Sequence, residues 1–187
     1  IFNGENILQY NKAQMKELKK DMQLIFQDPF SSLNPRMTVS QAIAFPLLIQ
    51  GLYKKKDKEA LNKKVEEMME LVGLAQRFVN SYPHELDGGR RQRIGIARAL
   101  SLNPQFIVCD EPVSALDVSI QAQILNLMQD LQKEMGLTYM FITHDLSVVK
   151  HLANKIMVMY LGKMVEYCVV KQLFAKPLHP YTKALLS

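Results

Sequence analysis

The sequence predicts an α/β domain with an open parallel sheet, and three observations support this prediction. Residues 106–109 form an apolar run that reads as a buried strand and delivers Asp110 and Glu111 at its carboxyl end. Other segments carry apolar residues at the spacing of an amphipathic helix. The 187 residues are 48% hydrophobic, which is enough for one substantial core. Ligands of open parallel sheets bind at the carboxyl edge of the strands, so the site is predicted there.

Two short elements are predicted near the start of the chain. Asn3-Gly4 stands between short apolar pieces, which is a hairpin signal. The apolar run 22–26 predicts a strand that ends before Pro29, because proline cannot donate a ladder hydrogen bond. Gln27 at the mouth of this strand is suited to hold Mg²⁺ or a water. For a glutamine taken alone, a surface role is the simpler interpretation.

Helical patterns occupy the next part of the chain. A helix is predicted over 39–48, with Thr38 or Ser40 as its N-cap. A second helix is predicted over 57–72, where apolar residues recur at helical spacing and Gly73 provides a C-terminal stop. These helices offer a packing face but no evident chemistry.

Gly88 and Gly89, here called the glycine pair, stand at the start of a helix predicted over 89–102. Two adjacent glycines leave bare backbone N–H groups at the positive end of the helix, which suits an anion such as a phosphate. Arg90 and neighbouring arginines crowd the first turn. The segment therefore predicts an anion-binding helix start.

The C-terminal part of the chain continues the alternation of helices and strands. A long amphipathic helix is predicted to end at Gly136, and a strand is predicted over 137–143. Segments 156–160 and 163–167 flank Leu161-Gly162 and predict an antiparallel hairpin. The tail over 177–186 reads as the beginning of another helix.

The polar residues at the strand ends match the needs of phosphoryl transfer. Asp110 is suited to bind Mg²⁺ directly or through its water shell, and Glu111 is suited to polarise an attacking water. Pro112 prevents regular continuation of the strand, so both carboxylates stay near the edge. His144 ends the next strand and is expected at the same edge. A solvated acidic turn and a structural histidine are the alternatives.

Charge and cysteine content leave several partner classes open. The net charge is +5, with basic clusters at 54–56 and at 90–93. Such clusters favour nucleic acid, anionic lipid or a phosphorylated ligand, or they form a solvated helical face. Cys109 and Cys168 give neither a disulfide framework nor a metal-binding spacing, which fits a reducing compartment. No apolar run approaches the roughly 18–20 residues of a membrane-spanning helix, and no signal peptide is evident.

Taken together, these motifs resemble the nucleotide-binding domain of ABC transporters. The resemblance is carried by the signature-like run from Leu86 to Arg90, the acidic strand end, the Ser-Ala-Leu-Asp segment that ends at Asp117, and Thr143-His144. The segment Asp-Pro-Phe-Ser-Ser-Leu-Asn-Pro-Arg, which begins at Asp28, looks like the oligopeptide and dipeptide importer branch. The ending His-Pro-Tyr-Thr-Lys-Ala-Leu-Leu over 179–186 does so as well.

The resemblance implies a P-loop NTPase fold with a helical subdomain, and it implies ATP and Mg²⁺ as cofactors. Each motif then acquires an expected role. The expected roles are catalysis for Glu111 and His144, Mg²⁺ binding for Gln27 and Asp110, and nucleotide binding for Gln27, Asp87, Gly88, Gly89, Arg90 and Asp117. The glycine pair and Asp117 are expected to act on the nucleotide of a partner subunit.

Organisation and partners also follow from the resemblance. Residues 1–187 are expected to be a partial nucleotide-binding domain, with a helical subdomain at about 38–103, a core at 104–167 and the start of a C-terminal extension at 168–187. The expected partners are membrane permease subunits, a second ATPase subunit and, indirectly, an extracellular solute-binding protein, with no nucleic acid. The expected location is the cytoplasmic face of the cell membrane.

Two other interpretations remain open at this stage. One is a non-catalytic remnant that docks on a permease or on a partner ATPase. The other is an ABC-type ATPase of DNA repair or structural maintenance, which the basic charge favours and which the lack of sustained heptads in the sequence opposes.

The chain departs from the family pattern at two places. The usual signature Leu-Ser-Gly-Gly-Gln is replaced by Leu86-Asp87-Gly88-Gly89-Arg90. An ionised carboxylate cannot donate a hydrogen bond to phosphate, although Asp is a good N-cap and Arg90 offsets its charge. The expected result is a weakened but assembled site.

The second departure concerns the loop that cradles the phosphates. No Gly-x-x-x-x-Gly-Lys-Ser/Thr sequence occurs in the 187 residues, so the family's first strand and Walker A loop are expected to be missing from this chain. We predict that residues 1–187 alone neither bind ATP tightly nor hydrolyse it. Isothermal titration with ATP tests this, and a micromolar dissociation constant would contradict it.

Overall fold

The structure, a computed structural model, describes residues 1–54 and 56–186. It does not describe the side chains of Ser147 and His151. The chain forms two compact units, Ile1–Met140 and Phe141–Ser187. Among the described residues, no helix is both long enough and apolar enough to span a bilayer.

The first unit combines a parallel sheet with a cluster of helices. Its strands pair in the order β1-β2-β3, and β1 runs parallel to β2 with Ile25 opposite Cys109. Its elements are α1 (Lys12–Asp21), β1 (Met22–Ile25), α2 (Val39–Ile49), α3 (Lys58–Leu71), α4 (Gly88–Leu100), β2 (Phe106–Asp110), α5 (Val118–Met135) and the start of β3 (Thr138–Ile142).

The core of the first unit lies between one face of the sheet and the helices. Ile25, Ile107 and Cys109 point to this face and are at most 2% exposed. Helix α4 packs on β1 and on α2, α3 and α5. Burial raises the pKa of the Cys109 thiol, so this cysteine stays protonated inside the core. Helix α4 therefore joins the sheet to the helical cluster.

Local sequence signals explain where several elements begin and end. Thr38 caps α2 through a capping box with Gln41, which confirms the first of the two predicted caps. Gly136, in the left-handed conformation at φ +65°, ends α5 as predicted. The Asn3-Gly4 turn is confirmed by paired hydrogen bonds of 2.9 Å between Phe2 and Glu5.

Two features differ from the sequence interpretation. Helix α1 was not predicted, although Asn11 and Gln14 form a capping box that marks its start. Lys54 and Lys56 precede α3 instead of lying on a helical face. Lys54 and Lys56 are exposed, and Lys55 lies outside the described residues.

The second unit is a β-hairpin flanked by short helices. Strands β4 and β5 are antiparallel, and Leu161-Gly162 forms the turn with φ values of +49° and +75°, as the hairpin prediction requires. Val158, Val170 and Leu173 lie in its core. Its elements after β3 are α6 (Leu146–Leu152), β4 (Lys155–Tyr160), β5 (Lys163–Val169), α7 (Val170–Ala175) and α8 (Pro180–Leu186).

Glu166 on β5 anchors the start of α8 to the hairpin. Its carboxylate accepts hydrogen bonds from Leu178 N at 3.0 Å, His179 N at 3.2 Å and Thr182 Oγ1 at 2.7 Å. The hydrogen bond from Thr182, followed by that from Leu178 N, lowers the pKa of the carboxyl below its ordinary value. The ionised side chain therefore holds the last helix in place.

We expect acid to release this contact. Because the folded pKa of Glu166 is lowered, its stabilising contribution is present above the ordinary carboxyl pKa and is lost as the pH falls through the folded value. Glu166→Gln is expected to increase backbone amide hydrogen exchange at 178–182 at pH 7. The NH₂ group of the glutamine side chain cannot accept the hydrogen bonds that the backbone N–H groups and Thr182 donate to the carboxylate. Glu70→Gln, an exposed position on α3, is the matched control. Equal protection of 178–182 in the parent chain and in Glu166→Gln at pH 7 would contradict the assignment.

Candidate functional site

Gln27 and Glu111 meet at the carboxyl edge of the parallel sheet. Gln27 follows β1 by two residues and Glu111 directly follows β2. Because the two strands are parallel and paired, their carboxyl ends reach the same edge. Gln27 Nε2 donates a hydrogen bond of 2.7 Å to Glu111 Oε2. Two side chains that the sequence selected on separate grounds are thus in direct contact.

The backbone of Glu111 adopts a left-handed conformation, with φ at +43°. This conformation costs a residue with a β-carbon about 1–2 kcal/mol, and such strain is concentrated at functional sites. It turns the chain sharply out of β2, and the carbonyl of Glu111 then accepts hydrogen bonds from Ser114 N and Ser114 Oγ at 3.2 and 3.1 Å. Strand β2 ends before Pro112, as predicted, and the turn already begins at Glu111.

Asp110 is the last residue of β2 and is partly buried beside this turn. Its carboxylate and the amide oxygen of Gln27 are hard oxygen donors of the kind that Mg²⁺ prefers. The Gln27 amide nitrogen faces Glu111, which leaves its oxygen as the candidate metal ligand. Within residues 1–54 and 56–186, no three acidic, histidine or cysteine side chains cluster as a metal site. The chemistry of these two donors fits Mg²⁺, and their joint binding of one ion stays a prediction.

Asp87 and Arg90 form a closed pair at the start of α4. Asp87 Oδ1 accepts a 2.8 Å hydrogen bond from Arg90 N, which makes Asp87 the N-cap of the helix. Asp87 Oδ2 also pairs with Arg90 Nη1. The guanidinium of Arg90 lies 4.9 Å above the Phe78 ring, which fixes its orientation further. The expected charge compensation therefore occurs as a direct contact.

The other arginines of α4 fasten neighbouring loops. Each donates to a backbone carbonyl in a different loop: Arg91 Nε to Pro83 O at 2.7 Å, Arg93 Nη1 to Val72 O, and Arg98 Nη1 to Ser32 O at 2.6 Å. Arg91 also lies 4.8 Å above the Phe30 ring, and burial lowers the pKa of Arg98. These contacts give the arginines structural roles and weaken the case for a nucleic-acid surface on α4.

Asp117 caps α5 and is exposed. Its Oδ1 accepts hydrogen bonds from Ile120 N at 3.0 Å and Ser119 Oγ at 3.1 Å. The hydrogen bond from Ile120 N lowers the pKa of the carboxyl, with a smaller effect from Ser119. The residue therefore has a clear role within its own chain, while its expected role toward a partner stays a prediction.

His144 belongs to the second unit. It is exposed and lies between β3 and α6. In this segment Asp145 N donates a hydrogen bond of 3.0 Å to Thr143 Oγ1. Because Glu111 belongs to the first unit, the expected grouping of the two side chains stays a prediction.

Comparison with known proteins gives a consistent set of similarities. The family profile described as ABC transporter matches residues 1–114. The oligopeptide transport ATP-binding protein OppF of Bacillus subtilis is 57% identical over 188 residues, covering 100% of this chain and 61% of that protein. The dipeptide transport ATP-binding protein DppF of Haemophilus influenzae is 52% identical over 187 residues, covering 100% of this chain and 56% of that protein. The chain thus spans less than two thirds of the length of these curated relatives.

Two solved structures resemble the fold. The structure of cbiO1 from Clostridium perfringens, part of the ABC transporter complex cbiONQ, has a TM-score of 0.81 at 26% identity and covers 94% of this chain and 67% of that chain. The dimeric post-hydrolysis structure of the ATP-binding cassette MJ0796 with ADP and Pi has a TM-score of 0.73 at 28% identity and covers 87% of this chain and 68% of that chain.

Proposed function

Because this chain belongs to the ABC transporter family, we propose that it is part of an ATP-binding and ATP-hydrolysing subunit that drives an importer of peptides. The observation that carries the proposal is the contact between Gln27 and Glu111 at the carboxyl edge of the sheet. The relatives named as oligopeptide and dipeptide transport ATP-binding proteins support peptides as the transported class.

The proposed chemistry assigns a separate task to each side chain. Glu111 orients and polarises the water that attacks the γ-phosphate, and Gln27 holds Glu111 in position through its 2.7 Å hydrogen bond. Asp110 and the Gln27 amide oxygen hold Mg²⁺, which neutralises phosphate charge when it is bound. His144 contacts the γ-phosphate and the water from the next strand end.

The remaining residues are proposed to act across a subunit interface. The glycine pair, Asp87 and Arg90 close over the phosphates of a nucleotide held by a second ATP-binding subunit, and Asp117 reaches toward that subunit. The helical part at about 38–103 transmits closure to permease subunits at the cytoplasmic face of the membrane. An extracellular solute-binding protein delivers the peptide and takes part indirectly.

A test of this function measures coupled hydrolysis. The protein is assembled with its permease and partner subunits in vesicles, and ATP hydrolysis is followed with a binding protein loaded with a peptide. The proposal predicts that the peptide-loaded binding protein stimulates hydrolysis and that the unloaded one does not. Hydrolysis that is insensitive to peptides would contradict the transport assignment.

A second candidate function is a non-catalytic subunit that docks on a permease or a partner ATPase. The acidic side chain of Asp87 favours it, because a carboxylate stands where the family signature has a hydroxyl that donates a hydrogen bond to phosphate. Titration with ATP and, separately, with the partner subunit distinguishes the two functions. A docking subunit binds its partner but contributes no hydrolysis.

A further inference from the structure

We infer that Leu116 and Ile120 are positioning residues that hold the glycine pair against the first turn of α5. The inference rests on the proposed function, since it concerns how the phosphate-facing elements are held. The contact that supports it lies within the chain and could not be predicted from the signature motif alone.

Side chains of the same chain occupy the space that β-carbons at Gly88 and Gly89 would need. A β-carbon added at Gly88 would lie 2.9 Å from Leu116 Cδ2, and one added at Gly89 would lie 2.7 Å from Ile120 Cγ2. Both distances are well below the roughly 3.5–4.0 Å of favourable carbon contacts. The backbone of α4 therefore sits directly on the Leu116 and Ile120 side chains.

The same turn also carries Asp117. This residue lies between Leu116 and Ile120 in sequence and caps α5 by accepting from Ile120 N at 3.0 Å. One short segment thus supports the glycine pair with two side chains and presents Asp117 from its exposed side. The two elements proposed to face the partner subunit are therefore in direct contact with each other.

The contact gives the glycines a requirement separate from phosphate approach. If the pair served only to let backbone approach a nucleotide, a methyl group at position 89 would harm function whatever residue stood at position 120. If Ile120 positions the pair, removing its branched side chain restores the space that the methyl group takes. Exchanging the sizes of the two residues separates these explanations.

The experiment compares Gly89→Ala, Ile120→Ala and the double substitution in the protein assembled with its partner subunits. We expect Gly89→Ala to lower kcat for ATP hydrolysis about fivefold and the double substitution to recover it to within about twofold of the parent. Gly95→Ala is the control on the same helix, because among the described residues a β-carbon there meets no atom within 4 Å outside its chain neighbours and the backbone of its own helix. It is expected to leave turnover unchanged.

Two results would overturn the inference: a double variant no more active than Gly89→Ala, or a Gly89→Ala variant as active as the parent. The midpoint of thermal unfolding is measured for the same four proteins, so the contact is also tested without turnover. We expect the double variant to unfold at a higher temperature than Gly89→Ala. A parent complex that hydrolyses no ATP would contradict the proposed function instead, and the unfolding midpoints would then decide the contact.

Discussion

Replacing Glu111 by glutamine is expected to lower kcat for ATP hydrolysis by about 10²–10⁴-fold, the usual contribution of a positioned base. The amide can still accept the hydrogen bond that Gln27 Nε2 makes to Oε2 in the parent protein, so the geometry of the sheet edge is retained. It cannot polarise water as a carboxylate does. The affinity for ATP is expected to change by no more than a few fold, because the proposed role of Glu111 is to act on the attacking water and not on the bound nucleotide.

Steady-state hydrolysis and nucleotide titration of the assembled complex measure the two effects separately. Glu134→Gln removes the same charge from an exposed position on α5 and serves as the control. The unfolding midpoint is expected to stay the same, because residue 111 keeps its left-handed backbone in both proteins. A loss of less than tenfold in kcat would exclude Glu111 as the residue that activates water.

The turns and caps at the ends of the elements were predictable because each depends on a few adjacent residues. Thr38 and Gln41 satisfy each other's backbone donors, and Leu161-Gly162 supplies the positive φ values that a tight hairpin needs. Helix α1 escaped prediction because Leu18 is its only buried residue among those described, so its apolar stripe is weak. Periodicity identifies a helix only when the helix has a face to bury.

The candidate site was predictable in its residue types and less so in its geometry. The acidic strand end and Gln27 were recognisable, and parallel pairing explains why they meet. The left-handed backbone at Glu111 was not recognisable, because glutamate has no preference for that conformation. The contacts of Leu116 and Ile120 with the glycine pair could not be predicted either. They join segments whose proximity depends on the packing of α4 and α5.

Restoring the family signature with the double substitution Asp87→Ser and Arg90→Gln is expected to raise kcat about tenfold. A serine hydroxyl can donate to phosphate where the carboxylate repels it, and a hydrogen bond to a charged group contributes about 1.5–3 kcal/mol, of which about 1.4 kcal/mol corresponds to tenfold in rate. Serine also keeps the N-cap of α4, which Asp87 now provides through its 2.8 Å contact with Arg90 N. Stability is therefore expected to change little.

The single substitution Arg90→Gln should have the opposite effect. It removes the guanidinium that pairs with Asp87 and leaves the carboxylate uncompensated in the proposed phosphate site, so turnover should fall below that of the parent. The control replaces Glu17 by Ser and Lys20 by Gln, since the exposed Glu17 and the half-buried Lys20 form an ion pair with the same spacing on α1. It removes the same two charges far from the glycine pair in sequence and should leave turnover unchanged. If the double variant Asp87→Ser and Arg90→Gln is no faster than the parent, Asp87 does not limit the rate of hydrolysis. Neither the charge of Asp87 nor the lack of a hydroxyl donor at this position then affects the reaction.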